Sequence, residues 1–298
     1  MSASVSAARA ESAAAAVRHH YDVGNEFYAL WLDPSLTYSC AMPATPADTL
    51  EAAQQRKLSY HLDAVRAHDA TELLDIGCGW GALLAVAASE GVARLTGLTL
   101  AEEQAAHVRA LDLPGTEIAV RNWLHHEPER PVDGIVSIGA FEHFATPADS
   151  PAEKIRVYRT FFERCRSWLR PGGALSLQTI AYANMARDQA STFIQRDIFP
   201  DADLPTLAEI TAAADGLFEV RTVRNDRLDY AWTCEQWATR LKRRRAEAIA
   251  LVGPEITERY ERYLRLSALG FRMGKIGLLR IVFEPYRSGH FTGGGAGR

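Results

Sequence analysis

The order of apolar and polar positions predicts alternating strands and helices through the middle of the chain. Residues 71–76 (TELLDI) form a short apolar run that ends in glycines, and a helical pattern follows from 81 to about 90. The run 94–99 reads as a second strand, 100–110 as a second helix and 134–138 as a third, buried strand. From 151 to 169 the spacing is that of an amphipathic helix. Ile155, Tyr158, Phe162, Cys165 and Leu169 share one face, and Lys154, Arg156, Glu163 and Arg170 lie mostly off it. Pro171-Gly172-Gly173 stops this helix, and 174–180 resumes as strand. Apolar strands repeated in strand–helix–strand units imply a parallel sheet covered on both faces. The expected fold is therefore α/β and doubly wound.

After residue 180 the rhythm changes. Two more strands are expected at 218–223 and 278–283, with about fifty mostly helical residues between them, clearest at 235–252 and 255–269. This insertion is expected to fold as a helical lid over the carboxyl edge of the sheet, where lids exclude water. The Ala/Ser-rich residues 1–16 read as a flexible arm and the Gly-rich residues 288–298 as a flexible tail.

Composition changes the picture only by exclusion. With 298 residues, 47% apolar and 23% charged, the chain is ordinary globular material. Thirty-three basic against 37 acidic residues leave a net charge of −4, which gives no general attraction to nucleic acid. Cys40, Cys78, Cys165 and Cys234 are too few and too scattered for a disulfide framework or a zinc site, so a reducing cytoplasmic setting and no metal are expected. No apolar run approaches the about 20 residues that span a bilayer, and the first residues lack the form of a signal peptide.

The most informative segment is Leu73-Leu74-Asp75-Ile76-Gly77-Cys78-Gly79-Trp80-Gly81. A buried strand delivers a carboxylate and then a glycine turn that opens a helix, so backbone can approach a ligand closely. The same letters fit a nicotinamide-binding loop, which requires an acidic residue at the end of the second strand. That strand ends Gly97-Leu98-Thr99-Leu100, with no carboxylate before Glu102. A ligand-free turn is the bland alternative. The turn together with Asp75 resembles the first motif of class I S-adenosylmethionine (SAM) methyltransferases.

Further segments narrow the resemblance. They are His20-Tyr21-Asp22-Val23-Gly24-Asn25-Glu26-Phe27-Tyr28, Leu32-Asp33-Pro34, Thr37-Tyr38-Ser39-Cys40-Ala41, Gly97-Leu98-Thr99-Leu100 with Gln104, and Ser137-Ile138-Gly139-Ala140-Phe141-Glu142-His143-Phe144. Ile198-Phe199-Pro200, Leu204-Pro205, Tyr230 with Trp237, and Phe271-Arg272-Met273-Gly274 complete the set. Together they resemble the cyclopropane fatty acid synthase and mycolic acid cyclopropane synthase family of SAM methyltransferases, across roughly residues 17–285. The resemblance implies a seven-stranded, mostly parallel sheet in one domain over 17–287. Its parts would be a helical cap over 17–65, a SAM-binding core over 66–180, and lid insertions at about 181–215 and 225–275.

It also implies a cofactor pocket. Tyr38 and Ser39 would approach the methionine end of SAM, with Asp75 at the mouth of the glycine turn and Gly77, Cys78 and Gly79 under the methionine and ribose. Thr99, Leu100 and Gln104 would meet the ribose and adenine, Asn122 and Trp123 would border the adenine, and Ile138 would sit beneath the sulfonium. In the family a bound bicarbonate removes the proton, and the matching positions here are Cys40, Glu142, Ile180 and Tyr230. Gln178 stands where the family has His, and Arg280 where Gln is expected. Gln cannot supply the positive charge of an imidazolium, so either Gln178 orients the anion or Glu142 is itself the base. His143 is a further acid/base candidate.

Methyl transfer to an alkene leaves a carbocation, which aromatic faces stabilise by about 2 kcal/mol when desolvated. Tyr21 and Tyr230 are assigned that role, while Phe141, Phe144, Phe199 and Trp232 are read as packing. An acyl acceptor would lie along 193–204 and 268–279. Lys242-Arg243-Arg244-Arg245, within a stretch (221–250) of eight basic and four acidic residues, would receive an acyl carrier protein or an anionic membrane surface, or is simply a solvated helix face. Two other classes stay open: methyl transfer to carbon or nitrogen of a small specialised metabolite without ring closure, and a non-catalytic SAM-binding module. Nucleic-acid methylation is not expected, for want of an Asn-Pro-Pro-Tyr motif and of basic charge.

Overall fold

The computed structural model describes residues 23–185, 187 and 202–286. Its centre is a seven-stranded sheet in the order β3-β2-β1-β4-β5-β7-β6. The strands are β1 (Glu72–Ile76), β2 (Arg94–Thr99), β3 (Thr116–Val120), β4 (Val132–Ile138), β5 (Leu169–Tyr182), β6 (Phe218–Asn225) and β7 (Ile276–Pro285). The first five pair in parallel, and β7 runs antiparallel between β5 and β6. Strand order reverses between β1 and β4, so their carboxyl ends open a crevice at the point where doubly wound sheets bind ligands.

Every residue of β1 is buried, as a central parallel strand requires. Leu74 and Ile76 pack with Phe141, Tyr158, Phe161 and Leu177 on one face, and Leu73 with Leu58, Leu84 and Val108 on the other. The helix Pro151–Trp168 starts at a capping box, in which Ser150 Oγ accepts from Glu153 N and the Glu153 carboxylate accepts from Ser150 N. Tyr158, Phe162 and Cys165 are buried on its apolar face as expected and Val157, Phe161 and Trp168 join them, whereas Ile155 is half-buried and Leu169 belongs to β5. Lys154 is buried rather than off the face, and its Nζ donates to Leu204 O (2.7 Å) and pairs with Asp203 Oδ2 (2.8 Å). A buried ammonium needs such partners, and no periodicity reveals them.

Three further differences have local causes. The strand Thr116–Val120 is an edge strand with no fully buried residue, so it carries almost no apolar signal. The Pro171-Gly172-Gly173 segment lies within β5 instead of separating helix from strand. The inserted helices run Arg227–Arg243 and Arg245–Arg272, so the chain turns at Arg244, inside a run of cations that contains no breaker. The expected break between 252 and 255 is present as a kink at Gly253 (φ 79°), followed by Pro254.

These two helices do not hang free over the sheet. Trp237, Tyr260, Leu264 and Phe271 form a second core with Phe27, Tyr28 and Trp31 from the helix Asn25–Ala29 and its exit. Tyr28 Oη and Tyr260 Oη lie 2.9 Å apart. The insertion thereby clamps the N-terminal segment across the crevice. Among the described residues no helix is long and apolar enough to cross a membrane.

Candidate active site

The turn after β1 is held by two hydrogen bonds, Gly77 N and Cys78 N each donating to Leu98 O at 2.9 Å. Gly77 has φ +83°, and a Cβ there would stand 2.6 Å from Ala140 Cβ, so glycine is required by both conformation and space. Beside this turn lies a cavity of about 590 Å³, within the range of small-molecule sites. All twelve residues that the resemblance assigns to the cofactor line it: Tyr38, Ser39, Asp75, Gly77, Cys78, Gly79, Thr99, Leu100, Gln104, Asn122, Trp123 and Ile138.

The cavity's parts are individually braced. Asp33 accepts from Thr37 N (3.0 Å) and Ser35 N (3.1 Å), which shapes the turn leading into Tyr38 and Ser39. From the helix Leu50–Ala64, Gln54 Nε2 donates to Ser39 O (2.8 Å) and Lys57 Nζ to Ser39 Oγ (2.9 Å). Thr99 Oγ1 donates to Gln104 Oε1 (2.7 Å) and fixes the wall after β2. Asn122 Oδ1 accepts from Leu124 N (3.0 Å) and caps the short turn that carries Trp123. The Trp123 ring packs against Phe144 (4.9 Å) and Phe161 (5.4 Å), so it is at once cavity wall and core. Asp75 is 4% exposed, and burial pushes its carboxyl up to about 7 against the pull of Lys57.

Cys40, Glu142, Gln178, Ile180 and Tyr230 do not line this cavity themselves, although their neighbours Ser39 and His143 do. Glu142 is bonded to Ile180, Gln178 and Cys40 share Arg280, and Cys40, Ile180 and Tyr230 pack in the second core. Glu142 sits on the tight turn Phe141–His143 that follows β4. Its Oε1 accepts from Ile180 N (2.6 Å), while Oε2 is buried with no hydrogen-bond partner. Burial raises the Glu142 carboxyl to about 7, against the lowering effect of the Ile180 N–H. Tyr230 stacks on Phe271 with ring centroids 4.5 Å apart, and burial holds its hydroxyl protonated. The Cys40 thiol is pushed up to about 12 by burial although Arg280 opposes this, so it is no thiolate nucleophile. His143 lines the cavity and burial lowers it to about 4, which keeps it neutral. Phe141 is core, stacked on Tyr158 at 4.3 Å. Trp232 is partly buried against the second core. Tyr21, Phe199 and residues 193–201 of the stretch expected to hold an acyl acceptor lie outside the described residues.

The two departures from the family pattern turn out to touch each other. Arg280 is fully buried, and its Nε donates to Gln178 Oε1 at 2.8 Å. One terminal nitrogen is paired with Asp226, and the other donates to Cys40 O (3.2 Å) and Ala41 O (3.1 Å). Gln178 Oε1 also lies 3.2 Å from His61 Nε2, and His61 Nδ1 lies 2.8 Å from Ser176 Oγ. Because the Gln178 oxygen can only accept, His61 donates from Nε2 and accepts at Nδ1. Burial, then Arg280 and Lys57, hold His61 well below its usual range, hence neutral. Arg280 and Gln178 are thus one coupled pair, whose charge is balanced by Asp226.

Sequence reasoning missed Lys57 and His61. A signal for them exists: with Gln54 they recur at helical spacing on the buried face of one helix. Among the described residues no group of three His, Cys, Asp or Glu side chains could hold a metal ion.

A cavity at the switch point of such a sheet, entered by a glycine turn and roofed by an N-terminal clamp, defines a class I SAM-dependent methyltransferase. Known proteins place the chain further. It matches the mycolic acid cyclopropane synthetase family over residues 8–281 and belongs to that family. It is 38% identical over 269 residues to cyclopropane mycolic acid synthase 2 of Mycobacterium bovis, covering 84% of this chain and 87% of that one. The fold superposes with a TM-score of 0.82 on mycolic acid cyclopropane synthase CmaA1 complexed with SAH and CTAB, at 32% identity over 92% of this chain and 98% of that one. It does so equally, at 0.82 and 33% identity over the same shares, on the cyclopropane synthase MmaA2 from Mycobacterium tuberculosis.

Proposed function

We propose that this chain transfers the methyl group of SAM to an unsaturated carbon of a lipid or lipid-like acceptor, giving a cyclopropane or a methyl-branched product. Glu142 takes the proton that is lost. The observation that carries this reading is Glu142 itself: a buried carboxylate, one oxygen fixed by the Ile180 N–H and the other unpartnered, beside the cavity assigned to SAM. A relative solved with SAH and CTAB together, a donor product and a long-chain amphiphile, supports an acyl acceptor.

SAM supplies an electrophilic methyl on a sulfonium. The protein's part is to align the acceptor about 3 Å away, exclude water and remove a proton. The clamp of residues 37–41, held by Gln54, Lys57 and Arg280, closes the methionine side of the cavity. The Tyr230 face and the Glu142 carboxylate supply the electron density a carbocation needs. Ile180 N–H donates to Glu142, and that carboxylate takes the proton without a bound anion. Turnover on an unsaturated acyl substrate is therefore expected to be unchanged when bicarbonate is stripped from the buffer. A loss restored by added bicarbonate would move the base from Glu142 to the anion.

An acyl carrier protein or anionic membrane remains the proposed source of the acceptor. Within the basic run, Arg244 is paired with Glu247, and Arg245 with Glu258 and Glu261. Among the described residues, Lys242 and Arg243 are the cations of the run without an ion pair, so such docking rests on them.

A further inference from the structure

We infer that Lys57 is the group that recognises the α-carboxylate of the methyl donor, opposite Asp75, so that the cavity is built for a zwitterionic amino-acid end. This deepens the SAM reading above and rests on it.

Lys57 is 1% exposed, yet it lines the cavity together with Tyr38, Ser39, Asp75 and the glycine turn. One of its three N–H donors goes to Ser39 Oγ (2.9 Å). The other two have no partner among the described residues, and no carboxylate among them lies within ion-pair distance. Asp75, across the same cavity, likewise has no hydrogen-bond partner among the described residues and is not joined to Lys57 by an ion pair. Two opposite charges, each buried and each unpaired, are costly in a finished core and become stable when a ligand supplies both counter-charges. A methionine end does so, with a carboxylate for Lys57 and an ammonium, beside a sulfonium, for Asp75.

The rest of the surroundings agree. Burial and then Arg280 push the Lys57 ammonium down to about 7, while Asp33, Cys40 and Asp75 pull the other way without reaching it. An arriving carboxylate restores the charge by direct contact. Ser39 is placed to share the same carboxylate, since Lys57 fixes its hydroxyl and Gln54 fixes its backbone.

The test is calorimetric titration with SAM and with decarboxylated SAM, which keeps the sulfonium and the amine. The native protein is expected to bind SAM about 10- to 100-fold more tightly, the scale of a hydrogen-bonded charge pair. Lys57→Met is expected to abolish that preference while leaving affinity for 5′-methylthioadenosine, which lacks the amino acid, within about threefold of native. A variant that still prefers SAM, or that loses all three ligands equally, would overturn the assignment in favour of a purely structural lysine. If the variant does not fold, the native protein decides alone, because equal affinity for SAM and its decarboxylated form also overturns it. Native protein that binds neither SAM nor SAH would instead sink the function proposed above.

Discussion

Glu142→Gln is expected to lower turnover by about 10²-fold or more while SAM affinity stays near native, because a positioned acid/base group contributes on that scale. The substitution keeps the oxygen that accepts from Ile180 N and removes only the ability to take a proton. The native pH profile should carry the same signature. With the Glu142 carboxyl raised to about 7, the basic form is lost as pH falls through that value, so the rate should drop below pH 7. In the variant this limb should vanish. Stability should move the other way. A carboxyl whose folded pKa lies above its unfolded value holds its proton more tightly in the native state, so it stabilises at low pH, and that stability is lost as pH rises from about 4.5 to about 7. Glu142→Gln should then be no less stable than native above pH 7. A variant with normal turnover would remove Glu142 from the chemistry.

The largest expected effect on stability is at Arg280. Arg280→Met removes the buried guanidinium from Asp226, which keeps only the more exposed Arg224 as a partner, and strips donors from Gln178 Oε1 and from the carbonyls of Cys40 and Ala41. Breaking a buried ion pair by removing one partner costs about 3–5 kcal/mol. For a chain of 298 residues that corresponds to a fall in Tm of roughly 5–8 °C. Denaturant titration checks it, and Arg280→Met with Asp226→Asn should recover part of the loss. A single variant within about 1 kcal/mol of native would mean that the guanidinium does not hold the clamp.

Where local pattern and tertiary role coincide, the sequence was readable. The parallel strands and the glycine turn announce themselves because burial on both faces and positive φ each demand particular residues, as at β1 and Gly77. The place of Glu142 at the carboxyl edge of the sheet was legible because it follows a buried strand. Illegible features are those in which a polar side chain is buried by a distant partner. Lys154 depends on Asp203, Lys57 on Ser39, and Arg280 on Asp226 and Gln178, and none of these pairings has a periodicity. Gln178 and Arg280 each read as a separate departure from the family, and only the register Gln178 opposite Arg280 across β5 and β7 makes them one. The edge strand Thr116–Val120 escaped for the opposite reason, since too little of it is buried to leave a trace.

Incubation with SAM carrying a ¹³C methyl group and an unsaturated acyl chain, followed by NMR of the product, tests the central claim most directly. The label should appear in a ring methylene or a branch methyl bonded to a former alkene carbon, with one SAH formed for each label transferred. Label on nitrogen or oxygen, or SAM recovered intact, would contradict it.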